Sequence, residues 1–256
     1  MSSFPAASEV RVLTPQWPAP AGVQAAFTLR AGGVSRAPFD SLNIAAHVGD
    51  AAQAVGENRR RLCEQLRLPG QPAWVEQVHG TAVADLDASG AAAAAGVPAD
   101  VALTRRPGTV CAVQVADCLP VLFAARDGCA VAAAHAGWRG LAAGVLEAAV
   151  AALAVAPGEL MAWLGPCIGP AHFEVGEEVR SALLAKDGGA AGAFAASPRG
   201  RWLCDLAALA RRRLERLGVA AVFGAAACTY TDRARFFSYR RDGQCGRMAA
   251  LIWLES

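Results

Sequence analysis

Residues 109–140 read TVCAVQVADCLPVLFAARDGCAVAAAHAGWRG, and this stretch decides the fold. It holds three apolar runs, Thr109–Val115, Pro120–Ala125 and Cys129–Ala134, each of strand length and bounded by polar or turn-forming residues. Arg126–Gly128 is short enough for a tight turn, so the last two runs are expected to pair as a hairpin. If the middle run returns between the other two as a meander, Cys118 and His135 emerge at the same end of one sheet. The small residues of His135-Ala136-Gly137-Trp138-Arg139-Gly140 then open a helix expected over Ala136–Ala154, which Pro157-Gly158 ends.

On the N-terminal side, Val10–Leu13 and Gln24–Leu29 read as strands, followed by a turn-rich stretch with Gly32, Gly33 and Pro38. Ala52–Leu68 reads as an amphipathic helix carrying Val55, Leu62 and Leu66 on one face, stopped by Pro69-Gly70. Strands Ala73–Val78 and Ala82–Leu86 flank His79-Gly80, and Ala91–Ala95 is expected as a surface loop. On the C-terminal side, strand Leu160–Leu164 leads into Gly165-Pro166-Cys167. Helices follow at Gly176–Lys186 and Asp205–Leu217, the second capped by Asp205 and ended by Gly218. Strands Val219–Phe223 and Met248–Trp253 complete the chain. The order of elements is irregular, which favours an α+β fold with mixed sheets over a doubly wound one. One domain is expected over residues 1–256, with 1–9 a flexible N-terminus.

With 54% hydrophobic and 18% charged residues, a 256-residue chain has ample material for a core and is not disordered. A net charge of +2 without a basic block speaks against nucleic acid or a membrane surface as partner. Lys186 is the only lysine among 24 basic residues, and arginine suits two-pronged contacts to anions. Cys63, Cys111, Cys129, Cys204 and Cys228 lie in apolar periodic segments, where a free thiol behaves as a small hydrophobe. The start MSSFPAASEV has no basic region followed by an apolar stretch, and the apolar tract from Cys129 to Ala156 is interrupted by His135, Arg139 and Glu147. Together these features point to the reducing cytoplasm.

The chain has four histidines, His47, His79, His135 and His172. His79 follows one expected strand, Cys118 another and His135 a third, so three ligand-type side chains stand at strand ends. Two imidazoles and one thiolate leave a tetrahedral ion one position short, the open arrangement of catalytic zinc. Spacing alone equally admits His135 as a helix-start residue and Cys118 as a turn thiol. Asp117 is placed either to orient a ligand or to cap a turn. The helix start beside Arg139 is a candidate anion site, or a close-packed glycine run with a solvated guanidinium.

The runs Ala116-Asp117-Cys118-Leu119-Pro120-Val121-Leu122-Phe123 and His135-Ala136-Gly137-Trp138-Arg139-Gly140-Leu141 resemble the YfiH-type multicopper polyphenol oxidase, or laccase-domain, family. Gln77-Val78-His79-Gly80, Gly165-Pro166-Cys167-Ile168-Gly169 and Phe237-Ser238-Tyr239-Arg240-Arg241-Asp242-Gly243 fit the same pattern. So do Arg30-Ala31-Gly32-Gly33-Val34-Ser35, Ser41-Leu42-Asn43, His47-Val48-Gly49-Asp50 and Glu57-Asn58-Arg59. The resemblance runs from about Phe27 to Leu254; Ile44-Ala45 stand where the family often has Leu-Gly, and Cys245 where Thr is common. It implies a single α+β domain of two stacked mixed β-sheets flanked by helices, with a zinc site made by His79, Cys118 and His135. It further implies phosphorolysis of adenosine, inosine and methylthioadenosine; adenosine deamination, phenol oxidation and peptidoglycan editing are also attributed to members.

True laccase chemistry needs a blue-copper centre and a trinuclear cluster, which consume more histidines than four, although a lone His₂Cys site has affinity for copper as well as zinc. Phosphorolysis fits the inventory better. Arg59 and Arg139 are expected to hold phosphate, and Asn43 and His47 to contact the nucleoside. Glu57 and Glu76 both qualify as proton shuttle for a deaminase, and the sequence does not choose between them. The alternative is a cysteine hydrolase acting on peptidoglycan precursors, with Cys118 as nucleophile, His135 as base and Asp117 or Asn43 orienting the imidazole. A non-catalytic metal-binding module is the third reading. His172 and Cys167 read as structural, Arg211-Arg212-Arg213 as a solvated face, and Trp138 and Trp202 as packing residues. Arg240-Arg241 either reach a substrate anion or pair with Asp232 or Asp242.

Overall fold

Read from the N-terminus, the computed structural model, which describes residues 9–255, begins with strands β1 (Val12–Leu13) and β2 (Val23–Thr28) and helix α1 (Ala52–Leu66). The flexible segment expected over 1–9 lies, except for Glu9, outside the described residues. Strand β3 (Val83–Asp85), the one-turn helix α2 (Leu86–Ser89) and β4 (Val101–Thr104) precede the central strands β5 (Val110–Val115), β6 (Leu119–Ala125) and β7 (Val131–Ala136). Helices α3 (Trp138–Ala143) and α4 (Val145–Leu153), strands β8 (Leu160–Leu164) and β9 (Glu174–Val175), and helix α5 (Glu177–Leu184) follow. The chain ends with β10 (Phe194–Ala196), β11 (Trp202–Cys204), α6 (Leu206–Arg216), β12 (Ala221–Gly224), α7 (Tyr239–Asp242) and β13 (Met248–Leu254).

The class is α+β, with two large sheets stacked face to face. One is four-stranded in the order β1-β2-β13-β5; the other is six-stranded in the order β12-β8-β6-β7-β4-β3. The six-stranded sheet is mixed, with parallel pairs at its two edges, β12 with β8 and β3 with β4. The four-stranded sheet is antiparallel throughout, a departure from the expectation that both are mixed. A third, small antiparallel sheet has the order β10-β11-β9.

The central stretch folds as read in one half and differently in the other. Strands β6 and β7 form the expected hairpin, with Val121 opposite Ala134 and Phe123 opposite Ala132. Strand β5 does not join them as a meander. It lies in the other sheet, against β13, with Val113 opposite Ala250. The chain changes sheets at Ala116–Cys118, where Asp117 takes a positive φ of 92°. All six residues of β5 are buried, so its sequence shows no polar face to say which neighbour it takes.

Strand alternation then fills three apolar layers. Phe27, Val113, Leu122, Ala133, Trp163 and Ile252 meet between the sheets. Val121, Phe123 and Ala132 face the opposite way, against Leu146 and Leu153 of α4 and Leu209 and Leu214 of α6. On the far side, Leu62 of α1 packs on Ala112, Leu251 and Trp253. Every strand face at the centre is therefore covered, and such strands read as unbroken hydrophobic runs.

Other departures have local causes. The expected strand Ala73–Val78 makes only isolated bridges, Ala73 to Cys111 and Glu76 to Pro98. The expected helix Ala136–Ala154 is broken by Gly144 at φ 110° into α3 and α4. Strands β4, β9, β10 and β11 are two to four residues long, too short for periodicity to register. Asp205 caps α6 as expected, its carboxylate accepting the Ala208 N–H. No helix among the described residues is long and apolar enough to cross a membrane.

Candidate metal centre

Three segments of different origin bring His79, Cys118 and His135 together. His135 stands near the end of β7, opposite Pro120 of β6, so Cys118 falls just beyond the next rung of the hairpin. His79 arrives on the irregular segment before β3, in a left-handed conformation with φ 60°. The ligand atoms of the three lie within 4.8 Å of one another, Cys118 Sγ is 3.9 Å from His79 Nε2, and the two imidazole centroids are 4.7 Å apart. Among the described residues no other group of three or more His, Cys, Asp or Glu converges this way. Gly137 leaves the space the cluster needs: a Cβ there would sit 3.0 Å from both Cys118 Sγ and His79 Cδ2.

Each ligand is held from behind. The His135 Nδ1–H donates to Asp100 Oδ1 over 2.7 Å, which leaves Nε2 as the nitrogen available to the cluster. The same carboxylate accepts the backbone N–H groups of Val78, His79 and Gly80. Asp117 sets the turn before Cys118: its carboxylate accepts the Thr229 hydroxyl at 2.6 Å and the Arg240 N–H at 2.7 Å. It thus fixes the backbone at Cys118 and does not reach an imidazole.

Burial works against ionisation of the Cys118 thiol, yet the His135 charge and hydrogen bonds from both imidazoles outweigh it and hold the thiol below its ordinary pKa. Burial likewise opposes a charge on His135, but the Cys118 sulfur and the Asp100 carboxylate raise its pKa. Both shifts run toward the charged forms, and one thiol with two imidazoles is a donor set that a cation enters with loss of a proton. Two nitrogens and a thiolate sulfur suit zinc or copper, with a coordination position left for water or substrate. The residues fit a metal ion.

The cluster forms one wall of a cavity of about 430 Å³. Gln77, Gln114, His47, Tyr239 and Arg247 line other parts of it. The Gln77 amide pairs with the backbone of β5, accepting the Gln114 N–H at 2.7 Å and donating to the Gln114 carbonyl at 2.8 Å. The side-chain oxygen of Gln114 itself is buried without a hydrogen-bond partner. Arg247, immediately before β13, is anchored by its own N–H to Asn43 Oδ1 and by Nη1 to the carbonyls of Cys245 and Gly246. Partial burial and then the charges of Arg247 and Arg59 hold the pKa of His47 below its ordinary value.

The other expected substrate residues sit outside the cavity lining. Asn43 is fully buried and spends its amide on Ala45, Asp50 and the Arg247 N–H. Arg59 donates to the Ile44 carbonyl and lies over Trp74, and Arg139 lies exposed over Trp138. Glu57 is tied to Arg60 and Arg61. His172 stacks on Tyr230 at 4.4 Å, away from the cluster. Asp100, Gln114 and Arg247 escaped the sequence reading. Asp100 and Arg247 each precede a strand with no motif spacing to mark them, and Gln114 looked like one polar interruption in an apolar run. A larger cavity of about 790 Å³, lined by Arg30, Asp40, Arg233, Arg241 and Asp242, holds no His or Cys, and its charges pair with one another.

The family model described as multi-copper polyphenol oxidoreductase laccase matches residues 24–255. A Pseudomonas aeruginosa protein named purine nucleoside phosphorylase is 54% identical over 244 residues, covering 95% of this chain and 98% of its own. Escherichia coli K12 has a protein named purine nucleoside phosphorylase YfiH, 52% identical with 95% and 99% covered. Among solved structures, a Neisseria meningitidis protein superposes with a TM-score of 0.90 at 50% identity, covering 96% of this chain and 99% of its own. YlmD from Geobacillus stearothermophilus superposes with a TM-score of 0.85 at 33% identity, covering 96% and 100%.

Proposed function

The chain belongs to the family described as multi-copper polyphenol oxidoreductase laccase, and on that premise we propose that it is a zinc-dependent purine nucleoside phosphorylase acting on adenosine, inosine and methylthioadenosine. The observation that carries this reading is one cavity joining a three-donor metal cluster to an arginine and a histidine. The names of the relatives from Pseudomonas aeruginosa and Escherichia coli support it. Copper oxidase chemistry of the multicopper kind is disfavoured, because the chain has four histidines and His172 stands apart from the cluster. Free thiols throughout and a nucleoside substrate suit an enzyme of the cytoplasm.

In phosphorolysis a phosphate oxygen bonds to the ribose anomeric carbon, the bond from that carbon to the purine nitrogen breaks, and its electron pair leaves with the base. Arg247 holds the phosphate in this reading, since it lines the cavity beside the cluster, whereas Arg59 and Arg139 stand outside that lining. His47 stands beside Arg247 with a lowered pKa, so an entering anion draws a proton onto it. Gln114 lines the cavity, its side-chain oxygen buried without a protein partner. Asn43 keeps Arg247 in register. A zinc ion held by His79, Cys118 and His135 would supply a Lewis acid with an open coordination position. Deamination of adenosine at C6 is the side activity this donor set admits.

A second reading has an observation of its own. Cys118, His135 and Asp100 are arranged as nucleophile, base and orienting carboxylate, the layout of a cysteine hydrolase acting on peptidoglycan precursors. The test is base release from inosine and adenosine, with and without phosphate, by native protein, chelator-stripped protein and Cys118→Ala. Phosphate-dependent formation of free base and ribose 1-phosphate, lost on stripping and on substitution, is the expected result. Absence of release by folded, zinc-loaded protein sinks the phosphorylase reading, and metal-independent cleavage of muropeptides establishes the hydrolase.

A further inference from the structure

We propose that Asp100 is the positioning residue of the metal centre: one buried carboxylate that orients the His135 imidazole and fixes the backbone carrying His79 before any ion arrives. This rests on the reading of the cluster as a metal site and goes beyond the ligands themselves. Asp100 has 0% accessible surface, and both of its oxygens are fully engaged. Oδ1 accepts the His135 Nδ1–H at 2.7 Å and the His79 N–H at 3.0 Å; Oδ2 accepts the Gly80 N–H at 2.7 Å and the Val78 N–H at 3.2 Å. Four donors meet about four lone-pair directions, so the group is saturated.

Its main chain is tied just as firmly, its carbonyl accepting the His135 N–H at 2.8 Å and its own N–H donating to Ala82. One residue therefore joins the ligand on the rigid hairpin, His135, to the ligand on the irregular segment, His79. The hydrogen bond to Nδ1 sets the tautomer of His135 and leaves Nε2 for the ion. The three N–H groups fold residues 78–80 around the carboxylate, with His79 at φ 60°, a conformation non-glycine residues rarely adopt. The Cys118 thiol meets both imidazoles from the cluster side, whereas Asp100 holds His135 by its ring and His79 by its backbone from behind.

The chemistry requires an aspartate. Asparagine keeps one oxygen and turns two amide hydrogens toward groups that are themselves donors. Glutamate adds a methylene where no accessible space exists.

The experiment compares wild type with Asp100→Asn, and uses Asp187→Asn as control, since Asp187 is a carboxylate paired with Arg212 and Arg216 away from the cluster. Zinc affinity is read by chelator competition, and coordination by the absorption of the cobalt-substituted proteins. Asp100→Asn is expected to lose about 10–100-fold in zinc affinity and to change the cobalt d–d bands while keeping the thiolate band of Cys118. Asp187→Asn is expected to lower the melting temperature with affinity and spectrum unchanged. Wild-type affinity and spectrum in Asp100→Asn overturn the proposal and leave the metal reading standing; a wild-type protein that takes up neither zinc nor cobalt overturns both. Should Asp100→Asn not fold, histidine nitrogen NMR of zinc-loaded wild type decides. One imidazole with a slowly exchanging Nδ1 proton supports the role, and metal-bound imidazoles that all lack such a proton refute it.

Discussion

Adding a single methyl group at Gly137 tests how tightly the three donors are assembled. Gly137 has φ −65° and ψ 164°, which alanine adopts without backbone strain, so the perturbation is steric and local. The new Cβ would lie 3.0 Å from Cys118 Sγ and 3.0 Å from His79 Cδ2, against an ordinary carbon contact of about 3.5–4.0 Å. One or both ligands must then give way by a few tenths of an ångström. Catalytic constellations tolerate about 0.5 Å and a shift near 1 Å costs about 100-fold in rate, so a displacement of tenths of an ångström is expected to cost on the order of 10-fold, or about 1.4 kcal/mol in the barrier. Gly137 is also the N-cap of α3, where alanine is a poorer cap by about 1 kcal/mol, which lowers the melting temperature of a chain this size by about 2–4 °C. Gly137→Ala should therefore melt a few degrees early, bind zinc more weakly and lose on the order of 10-fold in kcat/KM for inosine. Native zinc affinity and native kcat/KM in the folded variant would show that the convergence of His79 and Cys118 is not what the activity requires.

Arg247→Met should raise the KM for phosphate at least tenfold with little change in melting temperature, while Arg139→Met, at an exposed guanidinium stacked on Trp138, should stay within twofold of wild type. Steady-state kinetics against phosphate separate the two, and the reverse ranking would return the anion to the start of α3. Stability toward acid should depend on Glu57, whose pKa is lowered from 4.5 to about 2 by hydrogen bonds from Arg60 and then Arg61. Because its folded pKa is depressed, its contribution is complete above about pH 4.5 and is lost as the pH falls toward 2. Arg60 is half exposed, so solvent screening leaves only a small part of that contribution. Denaturant melts of Glu57→Gln across this range should show a flatter acid limb, and a limb superimposable on wild type would count against the ion pairs.

Much of the molecule can be read along the chain because its causes are local. Arg126–Gly128 turns β6 into β7, and that hairpin alone puts Cys118 and His135 at neighbouring rungs. Asp205 caps α6 through a contact three residues away, and the spacing of Val55 and Leu62 states which face of α1 is buried. Of the trio, Cys118 and His135 were legible through that hairpin, whereas His79 stood out by its chemistry alone, since the strand expected before it makes only isolated bridges.

What the tertiary structure decided are the choices that local pattern leaves equal. A strand buried on both faces carries no alternation, so nothing within β5 says that it pairs with β13 rather than β6. Chain distance hides Asp100 in the same way, since it meets His79 across 21 residues and His135 across 35. Among several arginines of equal chemistry, only packing turns Arg247 into the cavity and lays Arg59 and Arg139 over tryptophans. Sequence by itself determined which residues can bind and react, because that follows from side-chain chemistry and short-range turns. Which of them meet, and at what distance, was decided by the stacking of two sheets that bury every central face, an outcome of long-range contacts no single segment encodes.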